Sequence, residues 1–72
     1  MELKKLIASR IKELRLSKGL SQKEVADGVG MTEAGYQNYE VHRRSPSLDK
    51  LIALADFFGT SADYLLGRSD KP

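Results

Sequence analysis

No cysteine occurs in this 72-residue chain, which excludes disulfides and thiolate metal sites. A single histidine, His42, cannot supply a histidine-rich metal site, and no metal or cofactor is expected. Long apolar runs are missing too. The longest, Leu51 to Ala55, has five residues, against the roughly 20 needed to span a bilayer, so no membrane partner is expected. No basic-then-apolar leader opens the sequence, which leaves a cytoplasmic domain as the expectation. The chain has no Gly-rich phosphate loop and no pattern of paired carboxylates around a nucleophile. An enzyme is therefore not expected. Strand-period alternation, internal repeats and low-complexity stretches are also absent.

What is present suits one small domain. Hydrophobic residues make up 40% and charged residues 31%, enough apolar content for a core. The net charge of +2 conceals an asymmetry. Residues 1–23 carry seven Lys/Arg against Glu2 and Glu13, a block of +5. Residues 24–40 carry Glu24, Asp27, Glu33 and Glu40 with no base, a block of −4. Arg43, Arg44 and Lys50 against Asp49 make 41–50 basic again, and 51–72 is slightly acidic. Two basic blocks flanking an acidic middle fit either a polyanion partner or a solvated charged face.

Helical periodicity organises the rest. Leu3, Leu6, Ile7, Ile11 and Leu14 form one apolar stripe, so a first helix over about 2–18 is expected, stopped at Gly19. Ser21 and Glu24 have capping-box spacing, with Leu20 and Val25 placed as a hydrophobic staple. They open a two-turn helix over 22–28. Thr32 caps a third helix over 33–40, with Tyr36 and Tyr39 on its inward face. Ser47 caps a fourth over 48–58, whose stripe is Leu48, Leu51, Ile52, Ala55 and Phe58, with Gly59 as its stop. Thr60 to Asp63 caps a last turn through Tyr64, Leu65 and Leu66, ended by Gly67. The expectation is an all-α fold of five short helices over residues 1–67, with 68–72 as a flexible tail.

Two short helices joined by Val29-Gly30-Met31-Thr32 have the shape of a helix-turn-helix. Ala26 supplies a small side chain where the helices would cross, and Gly30 can take the positive φ that such a turn needs. Thr32, Glu33, Ala34, Gln37 and Asn38 then face outward. Residues 10–67 resemble the lambda-repressor/Cro-type helix-turn-helix domain, the Xre family. The resemblance rests on Arg15 through Glu24 (RLSKGLSQKE), Tyr39-Glu40, Ser45-Pro46-Ser47-Leu48, and Leu51 through Gly67 (LIALADFFGTSADYLLG). It implies a compact five-helix domain, a repressor of phage or bacterial type associated with the nucleoid, which binds double-stranded operator DNA as a dimer. It makes 33–40 the recognition helix.

The outward face has the chemistry that major-groove reading needs. Asn38 can pair bidentately with adenine, and Gln37 can do so or serve a phosphate. Glu33 can accept from cytosine N4. Ala34 or the Thr32 methyl can touch a thymine methyl. The same residues would also make an ordinary solvated helix face. With no Lys or Arg in 24–40, affinity has to come from phosphate contacts elsewhere. The candidates are Ser21, Gln22 and Lys23 at the start of the supporting helix, Arg43 and Arg44 in the loop, and the Tyr36 hydroxyl if its ring does not simply pack. Arg10 is a weaker candidate. Arg43→Ala is then expected to weaken binding to all sequences alike, and Asn38→Ala to relax one base position.

The resemblance also implies that Arg15 and Glu40 form a partly buried structural ion pair. Family members often have Asn-Gly after this Glu; here Val41-His42 stands there, which removes one phosphate contact. His tolerates the left-handed region better than most residues. Phe57, Tyr64, Leu65 and Leu66 offer apolar surface for an isologous homodimer, formed in solution or on the DNA. Such a dimer would set two recognition helices about 34 Å apart over a near-palindrome. A protein antagonist is a further candidate partner. The competing reading is a protein-interaction module, such as an antitoxin-like partner-binding domain.

Overall fold

Hydroxyl side chains begin four helices. Ser21, Thr32, Ser47 and Ser61 accept the backbone N–H of Glu24, Gly35, Lys50 and Tyr64 at 3.0–3.2 Å, satisfying donors that a helix start leaves without partners. Glu24 returns the favour by accepting the Ser21 N–H at 2.9 Å, which completes the expected capping box. The computed structural model describes residues 3–71. It contains α1 (Leu3–Ser17), α2 (Gln22–Gly28), α3 (Glu33–Glu40), α4 (Leu48–Phe58) and α5 (Ala62–Leu65), with no strand among the described residues. Met1 and Glu2, at the start of the expected domain and first helix, and Pro72, at the end of the expected tail, lie outside them.

Left-handed residues end all five helices: Gly19, Gly30, His42, Gly59 and Gly67. At each, the next residue's N–H reaches back to the carbonyl five positions earlier (for α2, Met31 to Ala26 at 2.9 Å; for α3, Arg43 to Asn38 at 2.9 Å). This is the Schellman closure, which satisfies the last carbonyls and reverses the chain. His42, with φ of 49°, is the one non-glycine among the described residues that takes positive φ.

The helices wrap a core built around Ile11, Val25, Ala26, Tyr36, Leu54 and Leu65, each fully enclosed. Helix α1 packs on α3, α4 and α5, while α2 packs on α3. Leu20, the expected staple partner of Val25, packs against this core, to which Val25 belongs.

Two expectations are corrected here. On α4 the buried face is Leu51, Leu54, Ala55 and Phe58, while Leu48 is 72% and Ile52 47% exposed. Apolar residues circle almost the whole of this helix, and its contacts with α1 and α5, not its periodicity, select the inward face. Leu65 is fully buried and therefore unavailable to a dimer partner. Its neighbours are engaged as well. The Phe57 ring lies where a Cβ on Gly28 would be and meets Phe58 edge-on at 5.3 Å. Tyr64 lies beneath the Arg10 guanidinium, 4.1 Å from its ring centroid. Leu66 is half-buried.

Arg10 also binds the end of the chain. It donates to the Tyr64 carbonyl at 2.7 Å and the Ser69 carbonyl at 2.9 Å. Residues expected to form a loose tail are thus fastened at Ser69, and Arg10 is taken up in holding α1 to the last turn.

Candidate nucleic-acid interface

The turn between α2 and α3 is braced from outside the motif. Lys50 of α4 donates to the Val29 carbonyl at 2.8 Å and the Gly30 carbonyl at 3.3 Å. A cation at carbonyls ending a helix is favourable on electrostatic grounds. No sequence signal marks this role, because a lysine on an amphipathic helix reads as a solvated charge. Ala26 is fully buried, as a close helix crossing needs.

A polar lock holds the inner face of α3. Arg15 donates to both Glu40 oxygens, at 2.6 Å from Nε and 3.0 Å from Nη2, and to the Leu20 carbonyl at 3.0 Å. The Tyr36 hydroxyl donates to Glu40 Oε2, and Gln22 Nε2 donates to Oε1 at 3.1 Å. The Arg15 and Glu40 side chains are 12% and 2% exposed. Burial by itself would raise the Glu40 pKa, but hydrogen bonds from Arg15, Tyr36 and Gln22 outweigh it and hold the carboxyl below its ordinary value. The hydrogen bond to Glu40 raises Arg15, and burial followed by the hydrogen bond to Glu40 pushes Tyr36 upward. Tyr36 is fully buried, which corrects its assignment to a phosphate: the hydroxyl points into the lock. Its i,i+4 spacing to Glu40 was the signal available.

On the outer face, Thr32, Glu33, Ala34 and Gln37 are exposed and Asn38 is half-buried. Two of these side chains are fixed by neighbours. Gln37 Nε2 donates to Gln22 Oε1 at 3.0 Å, so Gln22 links the buried carboxylate to the outer face. Asn38 Oδ1 accepts from Arg43 Nη1 at 2.7 Å. Of the other phosphate candidates, Ser21 is engaged in its capping box, Lys23 makes an exposed pair with Asp27 at 3.2 Å, and Arg44 is exposed. Candidates from three segments, the start of α2, the outer side of α3 and the loop after it, thus belong to one connected unit. Among the described residues no cluster could hold a metal, and no helix is long and apolar enough to cross a membrane.

Known proteins are similar to this chain in sequence and in fold. A helix-turn-helix family model matches residues 11–65. The transcriptional regulator AnsR of Bacillus subtilis is 46% identical over 62 residues, covering 86% of this chain and 53% of AnsR. An uncharacterised regulator of the same organism, YobD, is 34% identical over 67 residues, covering 93% of this chain and 60% of YobD. The chain thus spans somewhat over half the length of these relatives. Among solved structures, the P22 c2 repressor in complex with a synthetic operator superposes with a TM-score of 0.84 at 25% identity, covering 96% of this chain and all of that one. This chain belongs to the lambda-repressor-like (Xre) helix-turn-helix family.

Proposed function

We propose that the protein is a repressor that reads a near-palindromic operator as a homodimer, with α3 in the major groove. The observation that carries this reading is the two-sided character of α3. Its inner face is locked by Tyr36, Tyr39 and Glu40, and its outer face presents Thr32, Glu33, Ala34, Gln37 and Asn38 as a short polar set. Groove reading needs a rigid helix that offers such groups. The likeness to a repressor solved on operator DNA supports the same placement. Lys23, Arg43 and Arg44 flank the helix as phosphate contacts, together with the Ser21 hydroxyl and the Gln22 amide at the start of α2.

The homodimer draws apolar surface from Leu48 and Ile52, which the fold leaves exposed one turn apart on α4, and from what the half-buried Tyr64 and Leu66 still expose. Selection from random duplexes, followed by titration of the winning site at several salt concentrations, tests the proposal. A specific regulator yields a two-fold symmetric site and loses affinity steeply as salt rises. A selection that enriches no sequence, with salt-independent binding, defeats the reading and favours the protein-interaction module.

A further inference from the structure

The last turn of α3 and the loop after it form one polar unit. His42 takes the left-handed conformation, and that reversal brings Arg43 back over α3. The Asn38 carbonyl accepts the N–H of Arg43 at 2.9 Å and of Arg44 at 3.2 Å. On this frame the Arg43 guanidinium donates to Asn38 Oδ1 at 2.7 Å. The amide orientation follows from chemistry: a guanidinium has only donors, so the atom it meets must be the carboxamide oxygen. Arg43 is exposed and keeps further N–H groups that can reach a phosphate.

We infer that Arg43 is a positioning residue for Asn38, holding its carboxamide so that it meets the base pair as a donor through Nδ2. The inference rests on the DNA-reading role of α3 proposed above. An asparagine reads adenine by accepting from N6 while donating to N7. Here the Arg43 guanidinium takes one of the two lone pairs of the accepting oxygen and sets its positive charge beside the other, which disfavours a second donor such as adenine N6–H. The remaining N–H groups suit an edge with adjacent acceptors, and guanine N7 and O6 form such an edge. The phosphate contact and the base contact therefore work together: Arg43 bridges the DNA backbone to the side chain that reads the base. The separate roles expected from sequence, Arg43 for affinity and Asn38 for specificity, merge.

The test uses duplexes that differ at one base pair of the selected site, with affinities measured for the full chain and its variants. Wild type is expected to prefer guanine to adenine at the position Asn38 faces, and Asn38→Ala to abolish that preference. Arg43→Ala is expected to lower the guanine-to-adenine affinity ratio by about fivefold or more, the scale of one well-made base contact. Arg44→Ala is expected to weaken both duplexes equally. Adding Arg43→Ala to Asn38→Ala is expected to leave the ratio where Asn38→Ala put it. Arg43→Met, which keeps the aliphatic stem, serves as a second variant in case Arg43→Ala melts early, and is expected to match it. An Arg43 variant that weakens every duplex evenly and keeps the ratio overturns the inference, as does a wild-type ratio indifferent to Asn38→Ala. Wild type that binds no duplex overturns the DNA-reading role itself.

Discussion

The two faces of α3 are held in different ways. Inside, Tyr36 and Tyr39 pack edge to face at 6.4 Å, and Glu40 is surrounded by donors from α1, α2 and α3. Outside, the side chains meet water, and two are fixed by single hydrogen bonds, from Gln37 to Gln22 and from Arg43 to Asn38. The inner face sets where the helix stands, and any change there is felt as stability. The outer face sets what the helix meets, and changes there, the Thr32 cap aside, leave the fold almost untouched.

Breaking the inner face gives the largest expected effect. Arg15→Ala strands a buried carboxylate, and loss of one partner of such a pair costs about 3–5 kcal/mol. Urea denaturation should show most of the stability gone, with much of it restored when Glu40 is also replaced by an apolar residue. Next comes the brace on the turn before α3. Lys50→Met removes a charged donor from the Val29 carbonyl and should cost about 1.5–3 kcal/mol in the same assay.

Acid should weaken the inner face selectively. The folded pKa of Glu40 lies below its ordinary 4.5. Its contribution is therefore complete above that pH and fades as pH falls toward the folded value. Thermal melts should show stability falling more steeply below about pH 4.5 in wild type than in Glu40→Gln. Tyr36 has the opposite sign. Its pKa is raised above the ordinary 10.0, so its contribution is lost as pH climbs past that value.

Smaller effects mark the boundary between the faces. His42→Gly relieves a left-handed backbone and should stabilise by up to about 1 kcal/mol in urea, while His42→Val should destabilise. On the outer face, Glu33→Ala should move stability by less than about 0.5 kcal/mol, yet change which duplexes a selection enriches. A large loss of stability there would erase the distinction between the faces.

Local chemistry made much of this legible. Ser21 with Glu24, Thr32 and Ser47 announce helix starts, and Gly19, Gly30 and Gly59 announce ends, because caps act over three or four residues. Long-range choices were not legible. Leu54 and Leu65 are core while Leu48 and Ile52 are exposed, since an almost wholly apolar helix and a one-turn helix do not reveal which side meets a neighbour. Arg10 and Lys50 read as surface charge, because their carbonyl acceptors lie 54 and 21 residues away in sequence. The joining of Asn38 to Arg43 depended on the left-handed turn at His42, which made the two neighbours across a chain reversal.

Arg10 has a mechanical consequence. By gripping carbonyls of Tyr64 and Ser69, it shackles the first helix to the stretch where the described chain leaves the domain, and Leu6 sits tight against Gly67 beside it. Tension applied near residue 70 is borne first by that clasp and passes into α1 rather than peeling α5 away by itself. Neither terminal helix can come loose without breaking the same two hydrogen bonds, so the fifteen-residue and four-residue helices yield together.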